Sequence, residues 1–529
     1  MMPNLFRTST SFLVVLFLLG ALLLQPLPIA ANRPPVLQLQ AAAASEWPMR
    51  HHDALMRAAS PELILPPLSP LWTNTYPPGD LADRPPLPIA ADGKLFVIFR
   101  GGDQTKSLLA LDPETGQELW SKGFLNGHNF TEVAYDEATK RLYAATPLDL
   151  VVLNPDTGDV LRQTALPSGG SFFSVSNGDL YVSTTNLLTK YDADGNLIWQ
   201  YKDSRPVNPH AAVSVGNGMV YMASGYWTLQ GFNARTGKKI WESPTNGNPY
   251  TPPVIGDGLV FQGMQGQGAE SITVAAFDAY TGKIKWGVRT GFGGTVWTAM
   301  SYANGVLYFG SDDQNVYAID TKTPKVLWQY ETANDIESPV VVIGNIVYAV
   351  AECTWIPAIN DLGGYLYALD AATGSLLMQE TVPCSGGGLI PYQGKLIINS
   401  RMWDNGHVLR AYRTQPGFRL SLTPNKINLR LGTDVQTQLN ISATYNYSET
   451  IQLTTSPLPN GISVYFPEIL PGATIPFTVS ASPDVTLQGT FPITLTAASA
   501  SYQSSTVLNV KIVAGPPLTK RVYLPLLVR

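Results

Sequence analysis

The sequence predicts an all-β chain: a ring of repeated four-stranded sheets, then a smaller two-sheet domain. Three observations carry this. One phrase, "ALDPETGQELW" at residues 110–120, recurs six more times in varied form. Between the copies, apolar and polar residues alternate with period two. Beyond Arg413 the phrase stops, and a different run of short alternating segments begins. Composition agrees, since 46 Gly and 42 Pro with only 14% charged residues describe a chain rich in turns. At 529 residues the chain exceeds one ordinary core unless the fold is a repeat. A formal net charge of −5 offers no basic stripe, so nucleic acid is not expected as a partner.

Residues 1–31 are expected to be a secretory signal peptide, with cleavage as late as about residue 44. Arg7 precedes the apolar run Phe12–Leu24, and Ala30-Ala31 or the later alanines offer cleavage points. That run is short of the ~20 apolar residues a membrane span needs. No later run is long enough, and no cysteine follows it to carry a lipid. The mature chain is therefore expected to be secreted or at the cell surface, with no stable membrane span after cleavage.

The copies end at Trp120, Arg162, Trp199, Trp241, Trp286, Trp328 and Met378, separated by 42, 37, 42, 45, 42 and 50 positions. The unit at residues 302–328, "YANGVLYFGSDDQNVYAIDTKTPKVLW", splits at "NG", "SDDQN" and "DTKTP" into four strands, A to D. Asn-Gly is a strong hairpin signal because both residues tolerate positive φ. The phrase is then strand C, the C–D turn and strand D. Its Asp bonds its own turn, its Gly supplies a left-handed position, and its Trp buries apolar area against the next sheet. Units of this size repeated radially make a β-propeller. Residues 386–413 supply strands A to C without D, while "LSPLWTNTY" at 68–76 reads as an orphan strand D carrying Trp72. Seven full blades and one assembled from both ends give an eight-bladed propeller over residues 46–413, closed by an N-terminal strand that hides two sheet edges. Trp72, Trp120, Trp199, Trp241, Trp286 and Trp328 are assigned to blade docking.

The phrase A-x-D-x-x-T-G-x-x-x-W resembles the tryptophan-docking repeat of pyrroloquinoline-quinone-type, quinoprotein alcohol dehydrogenase-like propellers. "EWPMRHHDA" at 46–54 resembles a lead-in of secreted bacterial members. The resemblance implies the fold but not an activity, because the family holds both dehydrogenases and non-catalytic scaffolds. The dehydrogenases carry adjacent cysteines against the quinone and a calcium held by Glu, Asn and Asp. Here the two cysteines, Cys353 and Cys384, are far apart in sequence, and no Cys-x-x-Cys-His motif is present. His51-His52-Asp53 is the sole histidine cluster and reads as a packed or solvated segment. "DADGN" at 192–196 resembles half a calcium loop, but it sits in the repeated turn. No catalytic, cofactor-binding or metal-ligating residue is assigned.

In such a propeller the A–B and C–D turns share one face, and the B–C and D–A connections share the other. Cys353 in a B–C loop and Cys384 after strand D fall on the second face, where a secreted chain permits a disulfide. Trp227, Trp355 and Trp403 fall in B–C loops, and Trp297 begins strand A of the sixth blade. With Tyr226, Arg401 and Asp404 they form a candidate ligand-binding face. The competing expectation is that each Trp packs under its own loop.

Residues 418–513 alternate in about seven short runs, the signature of a β-sandwich, and "LPNGISVYF" and "GTFPITLTA" resemble bacterial immunoglobulin-like modules. Residues 514–529 are a linker and a "YLP" tail. The chain is thus expected to be a monomeric, non-catalytic binding or scaffold protein with an unknown protein or glycan partner and no cofactor. The alternative is a quinone-dependent oxidoreductase with a degenerate site, requiring pyrroloquinoline quinone and calcium.

Overall fold

The computed structural model describes residues 46–76, 87–99, 106–167, 172–184, 186–204, 213–224, 227–265, 272–290, 295–297, 299–356, 361–383, 388–401, 406–444, 447, 449–466, 474–484, 486, 488–499 and 503–513. The expected signal peptide, Tyr226, Cys384, Trp403, Asp404 and the C-terminal tail lie outside these residues, as do the side chains of Trp355 and Arg401. All named elements among the described residues are strands.

The first sheet shows the plan. Ile89–Ala91, Lys94–Ile98, Leu108–Leu111 and Glu118–Lys122, strands A to D, form an antiparallel meander. The plan repeats over residues 132–165, 172–202, 214–244, 254–288, 301–331 and 341–382. The eighth sheet takes A to C from Gly388–Tyr392, Lys395–Arg401 and His407–Thr414, and its outermost strand from Leu68–Tyr76. Strand A of each sheet touches strand A of the next, and Gly388–Tyr392 touches Ile89–Ala91, so the series returns to its start. Asn177-Gly178, Asn217-Gly218 and Asn304-Gly305 turn A into B with both residues at positive φ, which matches the right-handed twist of the strands.

Outer contacts repeat like the sequence. The indole Nε1 of Trp72, Trp120, Trp199, Trp241, Trp286 and Trp328 donates to Pro113, Pro155, Ala234, Ala279, Thr321 and Ala371 at 2.9–3.1 Å. Each acceptor directly follows the Asp or Asn that opens the next sheet's C–D turn. That side chain caps the turn: Asp278 Oδ1 accepts from the N–H of Tyr280 and Thr281 and from the Thr281 hydroxyl. The hydroxyl bond and Lys285 hold its carboxyl down to about 2. The turn glycine lies under the indole, and a Cβ at Gly282 would sit 2.5 Å from Trp241. A small residue of strand C often pairs across from Trp, as Ala276 with Trp286 and Gly231 with Trp241, whereas Trp199 pairs with Lys190. Both departures have local causes. Arg162 faces the shorter Asp192–Asn196 turn of the third sheet, which Gly195 N–H closes on the Asp192 carbonyl, and donates to Asn196 Oδ1 at 2.7 Å. Met378 faces the eighth sheet, whose strands C and D come from distant parts of the chain, so no C–D turn offers a carbonyl there.

Beyond the ring, Gly417–Thr423, Asp434–Thr444, Thr474–Ala481 and Ile462–Tyr465 form one four-stranded sheet. Lys426–Arg430, Gln503–Val513, Gly489–Ala498 and Gln452–Thr455 form another, with Lys426–Arg430 parallel to Gln503–Val513. Buried Leu429, Phe477, Leu495 and Val510 belong to one core drawn from both sheets. Arg419 Nε donates to the Pro66 carbonyl at 3.0 Å.

Candidate functional site

Antiparallel pairing puts the A–B and C–D turns at one end of every sheet and the B–C and D–A connections at the other. Trp227 lies at the second end, just before Thr228–Asn233. It is 43% exposed and held at φ 59°, a left-handed conformation that costs a residue with a Cβ about 1–2 kcal/mol. Its carbonyl accepts from Thr245 N–H at 2.7 Å, and the Thr245 hydroxyl donates to Gly247. Asn248 pairs with Gln265, and Gln265 with Thr295. Thr295 N–H and Trp297 Nε1 donate to the two carboxylate oxygens of Asp312, at 2.5 and 3.2 Å. Trp297 is half-buried, with its ring 5.1 Å from Tyr250. A continuous polar path thus joins Trp227 to Trp297 across three sheets. Thr245, Asn248, Gln265 and Asp312 were not foreseen, because polar residues in irregular connections carry no periodic signal.

Two placements differ from the sequence reading. Trp297 does not begin strand A of the sixth sheet, which starts at Ser301. Its connection is fixed instead by the bonds to Asp312. Cys353 and Trp355 are not in a loop. Strand B runs on through Ile346–Ile356 and strand C begins at Asp361, so Trp355 pairs with Leu362 in an extended hairpin. The register shifts between Ala351 and Thr354, and this bulge carries Cys353. Cys353 is disulfide-bonded, and its carbonyl accepts from Asn334 Nδ2 at 2.8 Å. Glu352 N–H donates to Asp335. The bulge is therefore pinned to the preceding connection. Arg401 is the last residue of its strand and pairs with His407.

The lead-in is packed. Trp47, Met49, His51, Met56 and Ala58 are buried, and the segment follows the inner edges of the sheets in chain order. Trp47 exchanges backbone bonds with Ala90, and Pro48 accepts from Tyr135 N–H. Arg50 pairs with Glu132 at 3.5 Å and lies 4.9 Å over the Phe172 ring. Carbonyls of Ala54, Leu55, Arg57, Ala58 and Ser60 accept from Val215, Ile255, Tyr302, Val342 and Gly344. Glu62 takes N–H bonds from Gln393 and Gly394 at 3.0 and 2.9 Å. Burial, reinforced by the Arg50 charge, holds the His51 imidazole well below its usual range. Burial opposes ionisation of Asp53, but His52 and Arg57 outweigh it and keep that carboxyl below its usual value. Among the described residues no three His, Cys, Asp or Glu side chains are grouped to hold a metal ion. Asp192 instead caps its own turn.

Comparison with known proteins agrees with this architecture. The profile of the family described as outer membrane protein assembly factor BamB matches residues 69–171, 105–267 and 270–389, more than half of the chain. Outer membrane protein assembly factor BamB of Moranella endobia (strain PCIT) is 25% identical over 324 residues, covering 56% of this chain and 77% of that one. The crystal structure of BamB from Moraxella catarrhalis superimposes with a TM-score of 0.50 at 15% identity, covering 65% of this chain and 99% of that one. A europium-containing methanol dehydrogenase gives 0.52 at 13%, covering 70% and 98%. At these identities the structural likeness speaks for the fold alone, and one fold hosts several activities. The recurring indole-to-turn docking and the matched span lead to one conclusion: the chain belongs to the BamB family of propeller-like repeat proteins.

Proposed function

We propose that this chain is a non-catalytic binding or scaffold protein of the cell surface or envelope. It is built as an eight-bladed propeller closed by an N-terminal strand and followed by an immunoglobulin-like sandwich. Its recognition surface is the B–C/D–A face. The observation that carries this reading is the polar path from exposed Trp227 to Trp297. An aromatic platform held by a connected scaffold is how a rigid ring presents a binding surface. Family membership favours a protein partner, as the name of the relatives indicates, and a glycan remains the second class.

The competing reading, a quinone-dependent oxidoreductase, rests on the likeness to methanol dehydrogenase. The residues present fit that cofactor poorly. The chain has no adjacent cysteines, Cys353 stands at the hairpin bulge, and the inner edges of the sheets are engaged by the lead-in. The test is reconstitution of the mature chain with pyrroloquinoline quinone and calcium, assayed with a dye acceptor over a panel of alcohols. No retained quinone absorbance and no dye reduction are expected. Substrate-dependent reduction would replace this reading with the enzymatic one.

A further inference from the structure

We infer that the inner rim of the ring is a peptide-recognition surface, and that its occupant is this chain's own segment 47–62. The inference stands whether or not the opposite face binds a partner. Strand A is the inner edge of each sheet, and an edge strand presents N–H groups that lack a partner within its own sheet. The segment supplies carbonyls to those groups in strand A or the turn after it in the second, fourth, fifth, sixth and seventh sheets. In the first sheet Trp47 both donates and accepts. The third is reached through Arg50 on Phe172, and the eighth through the Glu62 carboxylate.

The order of contacts is the order of the sheets, at about two residues per sheet. A peptide that aims one carbonyl after another at a curved rim cannot remain a regular strand. His51, His52, Met56 and Ala58 accordingly take positive φ of 61°, 78°, 58° and 44°. Such conformations in residues with a Cβ persist only where the surroundings over-determine them. Only Ala59–Ser60 becomes a strand, parallel to Val341–Ile343. The two ends of the segment meet at the seam between the eighth and first sheets. Trp47 holds Ala90, Glu46 accepts from Asp92 N–H, and Glu62 holds the turn at 393–394. Across the same seam Gly93 N–H donates to the Tyr392 hydroxyl. The segment therefore recognises the closed ring as a whole, with a length that matches eight sheets.

The test uses the full mature chain with a specific protease site inserted between Leu63 and Ile64. After folding and cleavage, the released segment should co-elute with the ring in native gel filtration. Labelled synthetic peptide 46–63 should exchange into the cleaved protein at one per chain. The same peptide with Trp47→Ala and Met56→Ala should bind at least tenfold more weakly. Loss of the segment on cleavage with an unchanged melting curve would overturn the inference, as would equal binding of the two peptides. A point variant guards against failure of the insertion to fold. In uninterrupted Glu62→Gln, amide exchange at Gly93, Gln393 and Gly394 should quicken at least tenfold, with the amides between the fifth and sixth sheets unaffected. Unchanged exchange at the seam would count against the inference equally.

Discussion

At the A–B/C–D end of the ring the turns are nearly interchangeable, whereas at the B–C/D–A end each connection has its own solution. In most sheets the C–D turn at the first end repeats one arrangement: a capping Asp or Asn, a left-handed Gly and an indole from the preceding sheet. Where a partner is missing, as at Met378, the residue changes with it. The second end holds an exposed left-handed Trp227, a buttressed Trp297 and a pinned hairpin. Repetition at one end buys rigidity, and that rigidity frees the other end to vary. Substitutions at the two ends should therefore behave differently.

The largest effect is expected from removing residues 46–76, which deletes both the rim segment and the outermost strand of the eighth sheet. Exposed edges and the hydrophobic seam around Trp47, Leu68 and Tyr392 should drive association. Light scattering should find oligomers, and the melting temperature should fall sharply. A monomer melting like the chain from residue 46 onward would break the closure account.

Next in size is Trp241→Ala. Its indole is buried, bonds Ala279 and lies over Gly282, so truncation should destabilise by ~3–5 kcal/mol in denaturant unfolding. Trp286→Ala, at a half-buried copy of the same contact, should cost about as much or somewhat less. A change below ~1 kcal/mol in Trp241→Ala would show that the docking contact does not hold the ring.

A smaller effect is expected from acid. His51 is buried with its folded pKa lowered well below 6.5. Below pH 6.5 the unfolded chain takes up a proton that the folded chain refuses. The stability tied to neutral His51 is thus present above that pH and is lost as pH falls through 6.5 toward the folded value. The slope from this one group is at most about 1.4 kcal/mol per pH unit. Unfolding of His51→Gln between pH 7 and 5 should show a correspondingly flatter dependence than wild type.

The difference between the ends also explains what was readable in advance. Seven copies of one phrase display the docking chemistry, because the Trp, the capping Asp or Asn and the turn Gly do the same work wherever they recur. The lead-in occurs once and bends through His51, His52, Met56 and Ala58, none of which advertises positive φ as Gly would. It could be read only as packed or solvated, not as a circuit of the rim. The stretch "AECTWIPAINDLGG" lacks clean alternation, and its Gly-Gly falls inside strand C rather than at the turn, so an extended bulged hairpin reads as a loop. Trp297 reads as a strand residue in the sequence because strand A is only three residues long there, and nothing in its neighbours announces the Asp312 contacts.

The central claim, that recognition belongs to the B–C/D–A face, is tested most directly on an array of bacterial surface glycans and envelope proteins probed with labelled protein spanning residues 46–529. Trp227→Ala combined with Trp355→Ala should weaken binding by ~2 kcal/mol or more and shift stability by no more than ~0.5 kcal/mol. Tyr280→Ala removes an aromatic that is 57% exposed in a C–D turn at the opposite end, and should leave binding intact. Binding abolished by Tyr280→Ala and retained by the double variant would contradict the account.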